Sequence, residues 1–391
     1  MTKLSAQTCA KAARPEGGRI AYFVHNLNDA AVAKRIRMFQ VGAAEVQVAG
    51  FWRGAQAPPA VESALATSLG RTSDGHLLQR ALMVVGRRFK LAELDPVVAD
   101  ADIIVARNLE MLAIAVGVKR RTRRPIRLVY ECLDIHRLMF RSSWAGRVMR
   151  SVERRLLAHV DIIIVSSGAF RDRHFRGRQG WSGPVLLVEN KVLQLEGDND
   201  PPPRPPGPPW RIGWFGMIRC ARSLDILTRL AERFDGKIEV IIRGRVAESE
   251  FDDFSGDVSR APFVQFLGAY NGADLSDIYG DVHFAWALDF FEEGENSTLL
   301  LPNRLYEASL YGVPAMALGS VEAGAWLARH GAGVRLEDTE ASLLDFIETL
   351  TSDVYQTLVS QVRNIPANDL VFDAPDCRKL ISQLRGGDHE A

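Results

Sequence analysis

Short apolar runs alternate with amphipathic stretches along most of the chain, and this alternation constrains the fold more than any other feature. Eleven runs occur, at residues 19–24, 46–49, 102–106, 126–130, 161–165, 185–188, 211–215, 238–242, 263–267, 282–286 and 313–317. Such runs are typical of strands buried on both faces of a sheet. Amphipathic helices are predicted between them, over residues 30–41, 145–159, 224–234, 304–311 and 340–350. The pattern predicts an α/β fold with two Rossmann-like, doubly wound parallel sheets that face a cleft.

The strongest interruption of this pattern is a proline segment, in which seven of residues 201–209 are proline. Proline restricts the backbone and removes a hydrogen-bond donor, so we expect a semi-rigid spacer. We therefore predict an N-terminal domain over 1–200, a linker over 201–209 and a C-terminal domain over 210–365. The remaining tail, 366–391, could cross back to the first domain.

Charge changes sign at the same place. Residues 1–200 contain 31 basic and 19 acidic side chains, whereas residues 201–391 contain 17 and 29. The four cysteines lie far apart, which favours neither a disulfide framework nor a zinc site. No apolar segment near the N-terminus resembles a secretory signal, and no apolar run approaches the ~20 residues of a membrane helix. We expect a cytoplasmic protein.

A glycine-containing turn follows the first strand of the second half. Gly216 allows a ligand to approach the backbone, the next helix begins with free N–H groups, and Arg219 and Arg222 follow. Arginine suits diphosphate oxygens because its guanidinium is bidentate. The alternative is an ordinary strand–helix turn with solvated arginines. The turn lacks G-x-G-x-x-G, so a nicotinamide or flavin cofactor is not supported.

A polar loop leads into the second group of candidate residues. The helix after it is predicted to begin near Pro302, with Asn303 and Arg304 in its first turn and Glu307 on the same face. A carboxylate there suits the two hydroxyls of a ribose; alternatively, Glu307 pairs with Arg304 at the surface. Gly312 is predicted to end the helix.

The run N-R-L-Y-E-A-S-L-Y-G-V-P at residues 303–314 resembles the donor-binding segment of group 1 (retaining) bacterial exopolysaccharide glycosyltransferases, which have the GT-B fold. The Gly216 turn, residues 32–37 with 51–53, and residues 129–136 are similar to further parts of these enzymes, in the same order. The resemblance implies a glycosyltransferase that moves a sugar from a UDP- or GDP-linked donor to a glycan. It also implies that the domain over 1–200 binds the acceptor and that the domain over 210–365 binds the nucleotide sugar. It implies a set of donor-binding residues: Gly216, Arg219, Arg222, Tyr270, Glu295, Asn296, Ser297, Asn303, Arg304 and Glu307.

One departure concerns the sugar end of the donor site. The family usually has a glutamate eight residues before the second one, and here that position is Leu299. Acidic candidates lie further back, at Asp289, Glu292, Glu293 and Glu295. The departure leaves open whether the enzyme retains or inverts the configuration of the sugar.

Asp134 and His136 are the candidate catalytic residues, since an inverting transfer needs a base near the acceptor hydroxyl. Retaining transfer instead needs groups that orient the sugar and stabilise the leaving diphosphate. The structural alternatives are that Asp134 caps a helix leading into Arg137 and that His136 is a satisfied histidine near the core. On the acceptor side we place His25, Asn26, Arg107 and Asn108, which follow two strands.

Two basic patches, residues 119–124 and 137–155, lie in the first half, and the second includes exposed apolar positions. This combination favours a peripheral position on an anionic membrane, the inner face of the plasma membrane, where lipid-linked acceptors occur; a solvated helix face is the alternative. No nucleic-acid motif accompanies the charges. A D-x-D sequence at 198–200 beside the prolines is interpreted as linker, and no metal is expected.

The sequence thus predicts a glycosyltransferase of exopolysaccharide or cell-surface polysaccharide biosynthesis with a lipid-linked or oligosaccharide acceptor. Two alternatives share the fold: a catalytically silent nucleotide-sugar-binding or scaffold protein, and a nucleotide-sugar epimerase.

Overall fold

The structure is a computed structural model, and it describes residues 14–54, 56–72, 91–195, 204–337 and 340–387. The D-x-D sequence at 198–200 and the first prolines of the linker lie outside the described residues. Among those described, no helix is both long and apolar enough to cross a membrane. Nor do the described residues include three histidine, cysteine or acidic side chains clustered so as to hold a metal ion.

Eight strands of the described residues form the first sheet, in the order β3-β4-β2-β1-β5-β6-β7-β8. Its central strands pair in parallel, and β3 with β4 is antiparallel. The strands are β1 Arg19–Val24, β2 Glu45–Trp52, β3 Ala60–Val61, β4 Ala64–Arg71, β5 Ile103–Arg107, β6 Arg127–Cys132, β7 Ile162–Val165 and β8 Val185–Leu187.

The second sheet has six parallel strands in the order β12-β11-β10-β13-β14-β15. They are β10 Trp210–Ile218, β11 Ile238–Val246, β12 Val264–Phe266, β13 Phe284–Trp286, β14 Ala315–Leu318 and β15 Val334–Leu336. The short strands β9 Val192–Leu193 and β16 Val371–Phe372 pair separately. The expectation of two parallel α/β sheets is confirmed.

Helices connect most of these strands. The α-helices span Ala30–Val41, Asp95–Val98, Asn108–Thr122, Trp144–Leu157, Ala221–Arg233, Phe254–Arg260, Leu275–Gly280, Asn303–Leu310, Glu322–His330, Glu340–Glu348, Ser352–Arg363, Ala367–Leu370 and Ala374–Arg385, and a π-helix spans Phe170–Gln179. Burial on both sheet faces explains the continuous apolar runs: Trp214 of β10 packs into one core and its neighbour Phe215 into another.

By packing, the chain divides into two compact units. The first unit comprises Met1–Glu131, Leu156–Ile163 and Ala374–Ala391, and the second comprises Cys132–Arg155 and Ile164–Asp373. Within the first unit, Ala374–Arg385 packs on Ala30–Val41. The contact is close, because a Cβ at Gly42 would lie 2.4 Å from Ile381 and 2.6 Å from the carbonyl of Cys377.

Candidate functional site

The carboxyl edge of the second sheet is open at Gly216. Gly216 has φ +111°, and a Cβ built on it would meet no atom of the rest of the described chain within 4 Å. At Gly244, in the neighbouring strand β11, a Cβ would lie 1.8 Å from the Gly216 carbonyl oxygen, so only glycine lets the two backbones approach. The edge therefore leaves space for a ligand directly above β10.

Arg219 and Arg222 lie beside this space, each with a carboxylate partner. Arg219 is 3.4 Å from Asp289, and Arg222 pairs with Glu293. Each guanidinium also lies over a phenylalanine ring of the same loop, at 4.8 and 4.2 Å from the ring centroids. The arginines are thus brought to the loop after β13, where an anionic ligand would exchange with these carboxylates.

Among the four acidic candidates of that loop, Glu292 differs from the others. Asp289, Glu293 and Glu295 pair with Arg219, Arg222 and Arg141. Glu292 is half-buried. Burial raises the pKa of Glu292, Arg219 lowers it, and the negative charges of Asp134 and Glu295 raise it further. Glu292 therefore lies among both acidic and basic side chains, and its net pKa is raised.

The buried amide of Asn296 holds the Asp134 segment against this loop. Its Nδ2 donates to Asp134 Oδ1 at 3.2 Å, and its Oδ1 accepts from the Ile135 N–H at 3.1 Å. Ser297 is also buried, and its Oγ accepts from the Glu292 N–H at 3.1 Å. Both side chains, expected from the sequence to touch the donor, make hydrogen bonds that position the acidic loop and Asp134.

Asp134 itself is exposed and follows strand β6. The sequence-based alternative that it caps the segment leading into Arg137 is wrong. His136 occupies the N-cap of the short 3₁₀ turn Arg137–Met139, and its Nδ1 accepts from the Leu138 N–H at 3.2 Å. The turn begins at Arg137, two residues later than an Asp134 cap requires.

The helix Asn303–Leu310 begins after Pro302, as predicted. Asn303 is exposed in its first turn. Arg304 donates to the carbonyl oxygens of Phe215 in β10 (3.5 Å) and of Leu288 just after β13 (3.2 Å). These two hydrogen bonds link Arg304 to both strands. Glu307 accepts from the hydroxyl of Tyr279 at 3.0 Å. Arg304 is thereby directed to the main chain at the sheet edge.

The ring of Tyr270 packs edge-on against that of Phe215, with ring centroids 6.3 Å apart. Burial raises the pKa of Tyr270, and the nearby carboxylate of Glu307 raises it further. Gly216, Arg304, Glu307 and Tyr270 therefore share one edge of one sheet.

Arg243 also belongs to this edge, and the sequence analysis missed it. It pairs in register with Phe215, and its Nε is buried and has no hydrogen-bond partner among the residues that the structure describes. Strand β11 was expected to end at Ile242, whereas it continues to Val246. The sequence Arg243-Gly244-Arg245 directly after a buried strand was the available signal.

The expected acceptor-side residues lie in the first unit. His25 is 3.5 Å from Asp29; burial lowers the pKa of His25, and Arg107 lowers it further. Asn26 accepts from the N–H of Asn28, and Asn108 begins a helix with φ +71°. Arg107 is buried against Glu131 at 3.3 Å, so its guanidinium is part of that unit's interior.

Comparison with known proteins gives a close relative. The chain is 41% identical over 374 residues to the succinoglycan biosynthesis protein ExoL of Rhizobium meliloti strain 1021, over 94% of this chain and 93% of that protein. The chain belongs to the ExoL family. The sequence-based resemblance to group 1 exopolysaccharide glycosyltransferases is confirmed. No family model matches the chain.

Solved structures show the fold of this ExoL-family protein. Sucrose-phosphate synthase from Thermosynechococcus elongatus superposes with TM-score 0.68 at 13% identity, over 94% of this chain and 98% of that one. HepE from Anabaena, in complex with UDP and glucose, superposes with TM-score 0.65 at 17% identity, over 93% and 98%. The GT-B fold predicted from the sequence is confirmed.

Proposed function

We propose that this ExoL-family chain is a glycosyltransferase that moves a sugar from a nucleoside diphosphate to a glycan acceptor in exopolysaccharide biosynthesis. The observation that carries the proposal is that Arg219, Glu307 and two neighbouring acids, Asp134 and Glu292, belong to one open sheet edge in the second unit. The ExoL relative and the complex of HepE with UDP and glucose support it.

In this assignment, Arg219 and Arg222 bind the diphosphate and neutralise it as it leaves, so no metal is needed. Glu307 accepts hydrogen bonds from the ribose hydroxyls. Asn303 and the acidic loop border the phosphates and the sugar. Asn296 and Ser297 act by positioning that loop.

During transfer, the bond between the anomeric carbon and the phosphate oxygen breaks, and a bond from that carbon to the acceptor oxygen forms. The acceptor proton passes to Asp134 if configuration inverts, or to the departing phosphate oxygen if it is retained. His136 orients the sugar. Both courses use the same donor site.

We place the lipid-linked acceptor near an anionic membrane bound by the helix Trp144–Leu157. Trp144, Val148 and Val152 are 72%, 52% and 41% exposed at successive i, i+4 positions, with Arg147 and Arg155 exposed beside them. Arg147, Arg150 and Arg154 of this patch also donate to main-chain carbonyls, those of Ser142, Met139 and Gln179. An apolar stripe flanked by cations favours an anionic lipid surface.

Sedimentation with phosphatidylglycerol or phosphatidylcholine vesicles tests this placement. We expect binding to the anionic vesicles that is lost in a Trp144→Ser/Val148→Ser variant and kept in Val354→Ser, a matched control at another exposed valine. Equal sedimentation of both variants would contradict membrane docking by this helix.

The catalytic proposal is tested by incubating the protein with a panel of nucleotide sugars, with and without lipid-linked oligosaccharide. We expect one donor to release its nucleoside diphosphate only when acceptor is present, with the sugar recovered on the lipid. Binding without release would indicate a silent sensor or scaffold, and alteration of the donor sugar without acceptor would indicate an epimerase.

A further inference from the structure

Arg243 lies on the face of the second sheet that carries the candidate site. Along strand β11, Ile241 packs with Phe215, Tyr279 and Leu305, whereas Val240 and Ile242 pack in the opposite core. Since side chains alternate along a strand, Arg243 is on the face of Ile241. This is the face covered by the helix of Glu307.

Two guanidinium N–H groups at this edge are buried without acceptors. Neither Nε of Arg243 nor Nε of Arg304 has a hydrogen-bond partner in the described chain. A buried donor without an acceptor is costly, and such groups are rare in native structures. Arg304 donates its outer nitrogens to carbonyl oxygens, whereas the Arg243 side chain is only half-buried and makes no such bond among the described residues. A guanidinium can only donate, so the outer N–H groups of Arg243 suit an acceptor supplied by a ligand.

The order of the strands indicates which part of the ligand Arg243 meets. Asp289, the partner of Arg219, follows β13, and β10, β11 and β12 follow in that order across the sheet. With the diphosphate at Arg219 and the ribose at Glu307, the nucleoside extends towards β11 and β12. Arg243 ends the apolar part of β11, and Tyr270 follows β12.

We infer that Arg243 binds the nucleobase of the donor through a carbonyl oxygen, so that the site takes nucleoside diphosphates with an oxo base and rejects the matching amino base. Uracil presents an oxygen acceptor at the position where cytosine presents an amino donor, and guanine and adenine differ in the same way. With an amino base, the amino group of the base and the guanidinium of Arg243 would both be donors, and neither would have an acceptor. The inference rests on the proposed function, because the diphosphate sets the register of the nucleotide.

Calorimetric titration with UDP and CDP tests the inference, because the two ligands differ only at this edge of the base. We expect the protein to bind UDP at least about tenfold more tightly than CDP, as for a hydrogen bond to a charged group. Arg243→Ala should bring the ratio of UDP affinity to CDP affinity close to one, because it weakens the binding of UDP. Arg243→Lys should keep part of it, since lysine donates without the planar fork. If GDP is the better ligand, GDP and ADP form the pair.

Arg245→Ala is the matched control, because Arg245 is exposed two residues further along the same strand. It should leave the UDP/CDP ratio unchanged. An unchanged ratio in Arg243→Ala would overturn the inference, and so would an equal loss of UDP, CDP and inorganic pyrophosphate, which would indicate a phosphate contact. If the protein bound no nucleoside diphosphate at all, the proposed function itself would fail.

Discussion

Arginines meet carboxylates at strand ends in both units, with opposite consequences. In the first unit, Glu131 of β6 is fully buried and pairs with Arg35 at 2.6 Å and Arg107 at 3.3 Å, and Tyr22 donates its hydroxyl. In the second unit, Arg219 and Arg222 keep about a third and a half of their side chains exposed beside their carboxylates. The same residue types form a closed core network where they are buried and an open, solvent-accessible network where they are not.

The largest expected effect comes from breaking the closed network. Glu131→Gln leaves Arg35 and Arg107 without their counter-charge, which should lower the free energy of unfolding by about 3–5 kcal/mol in urea denaturation. Burial raises the pKa of Glu131, but Arg107 and Arg35 outweigh it and the net pKa is lowered. Its contribution is therefore present above the ordinary carboxyl pKa and is lost as pH falls through the folded value.

The control for Glu131 is Glu45→Gln, which removes the half-exposed partner of Arg19. A surface pair of this kind contributes under about 1 kcal/mol. Equal destabilisation by the two substitutions would contradict the contrast between closed and open networks.

In the open network, the substitution with the largest expected effect is Asp134→Asn. Asparagine can still accept from Asn296 but cannot take a proton, so kcat should fall by roughly 10²-fold or more in an inverting enzyme. Donor Kd should stay the same, as measured by titration. A near-normal kcat would exclude Asp134 as the base.

A smaller effect is expected from Glu307→Ala, which removes the proposed ribose contact. UDP affinity should fall by about 10- to 100-fold, equivalent to about 1.4–2.7 kcal/mol. Tyr279→Phe is the comparison variant, because it removes only the hydroxyl that donates a hydrogen bond to Glu307. If UDP bound Glu307→Ala as tightly as the native protein, the ribose assignment would be wrong.

The smallest effect should be a change in pH dependence at Glu292. Because the pKa of this carboxyl is raised, its contribution to stability is present below the ordinary carboxyl pKa and is lost as pH rises through the folded value. The Tm of the native protein should therefore fall between acidic and neutral pH, and Glu292→Gln should make this fall smaller. Glu293→Gln, at the exposed partner of Arg222, should leave it in place.

The apolar runs were sufficient to predict the sheets, because strands buried on both faces leave a strong pattern in the sequence. They also drew attention to Arg219, Arg304 and Glu307, since parallel strands and their following helices place such residues at one edge; the roles of these residues stay predictions. Burial of individual polar groups leaves no such pattern. Arg107 and Arg243 look like surface arginines in the sequence, yet one is enclosed by Glu131 and the other has a buried donor.

Long-range partners were equally unpredictable. Nothing local to Asn296 indicates that its amide reaches Asp134, 162 positions away. In the basic patch at 119–124, Lys119 pairs with Asp161 and Arg121 with Asp95. These pairs form only once the fold brings distant segments together.

The most direct test asks whether one nucleotide binds to both Arg219 and Glu307. UDP is titrated into four proteins, namely the native chain, Arg219→Ala, Glu307→Ala and the double variant. A single binding site per chain is expected, weakened by each substitution and weakest in the double variant. A double variant that bound UDP with native affinity would show that these side chains do not share a ligand.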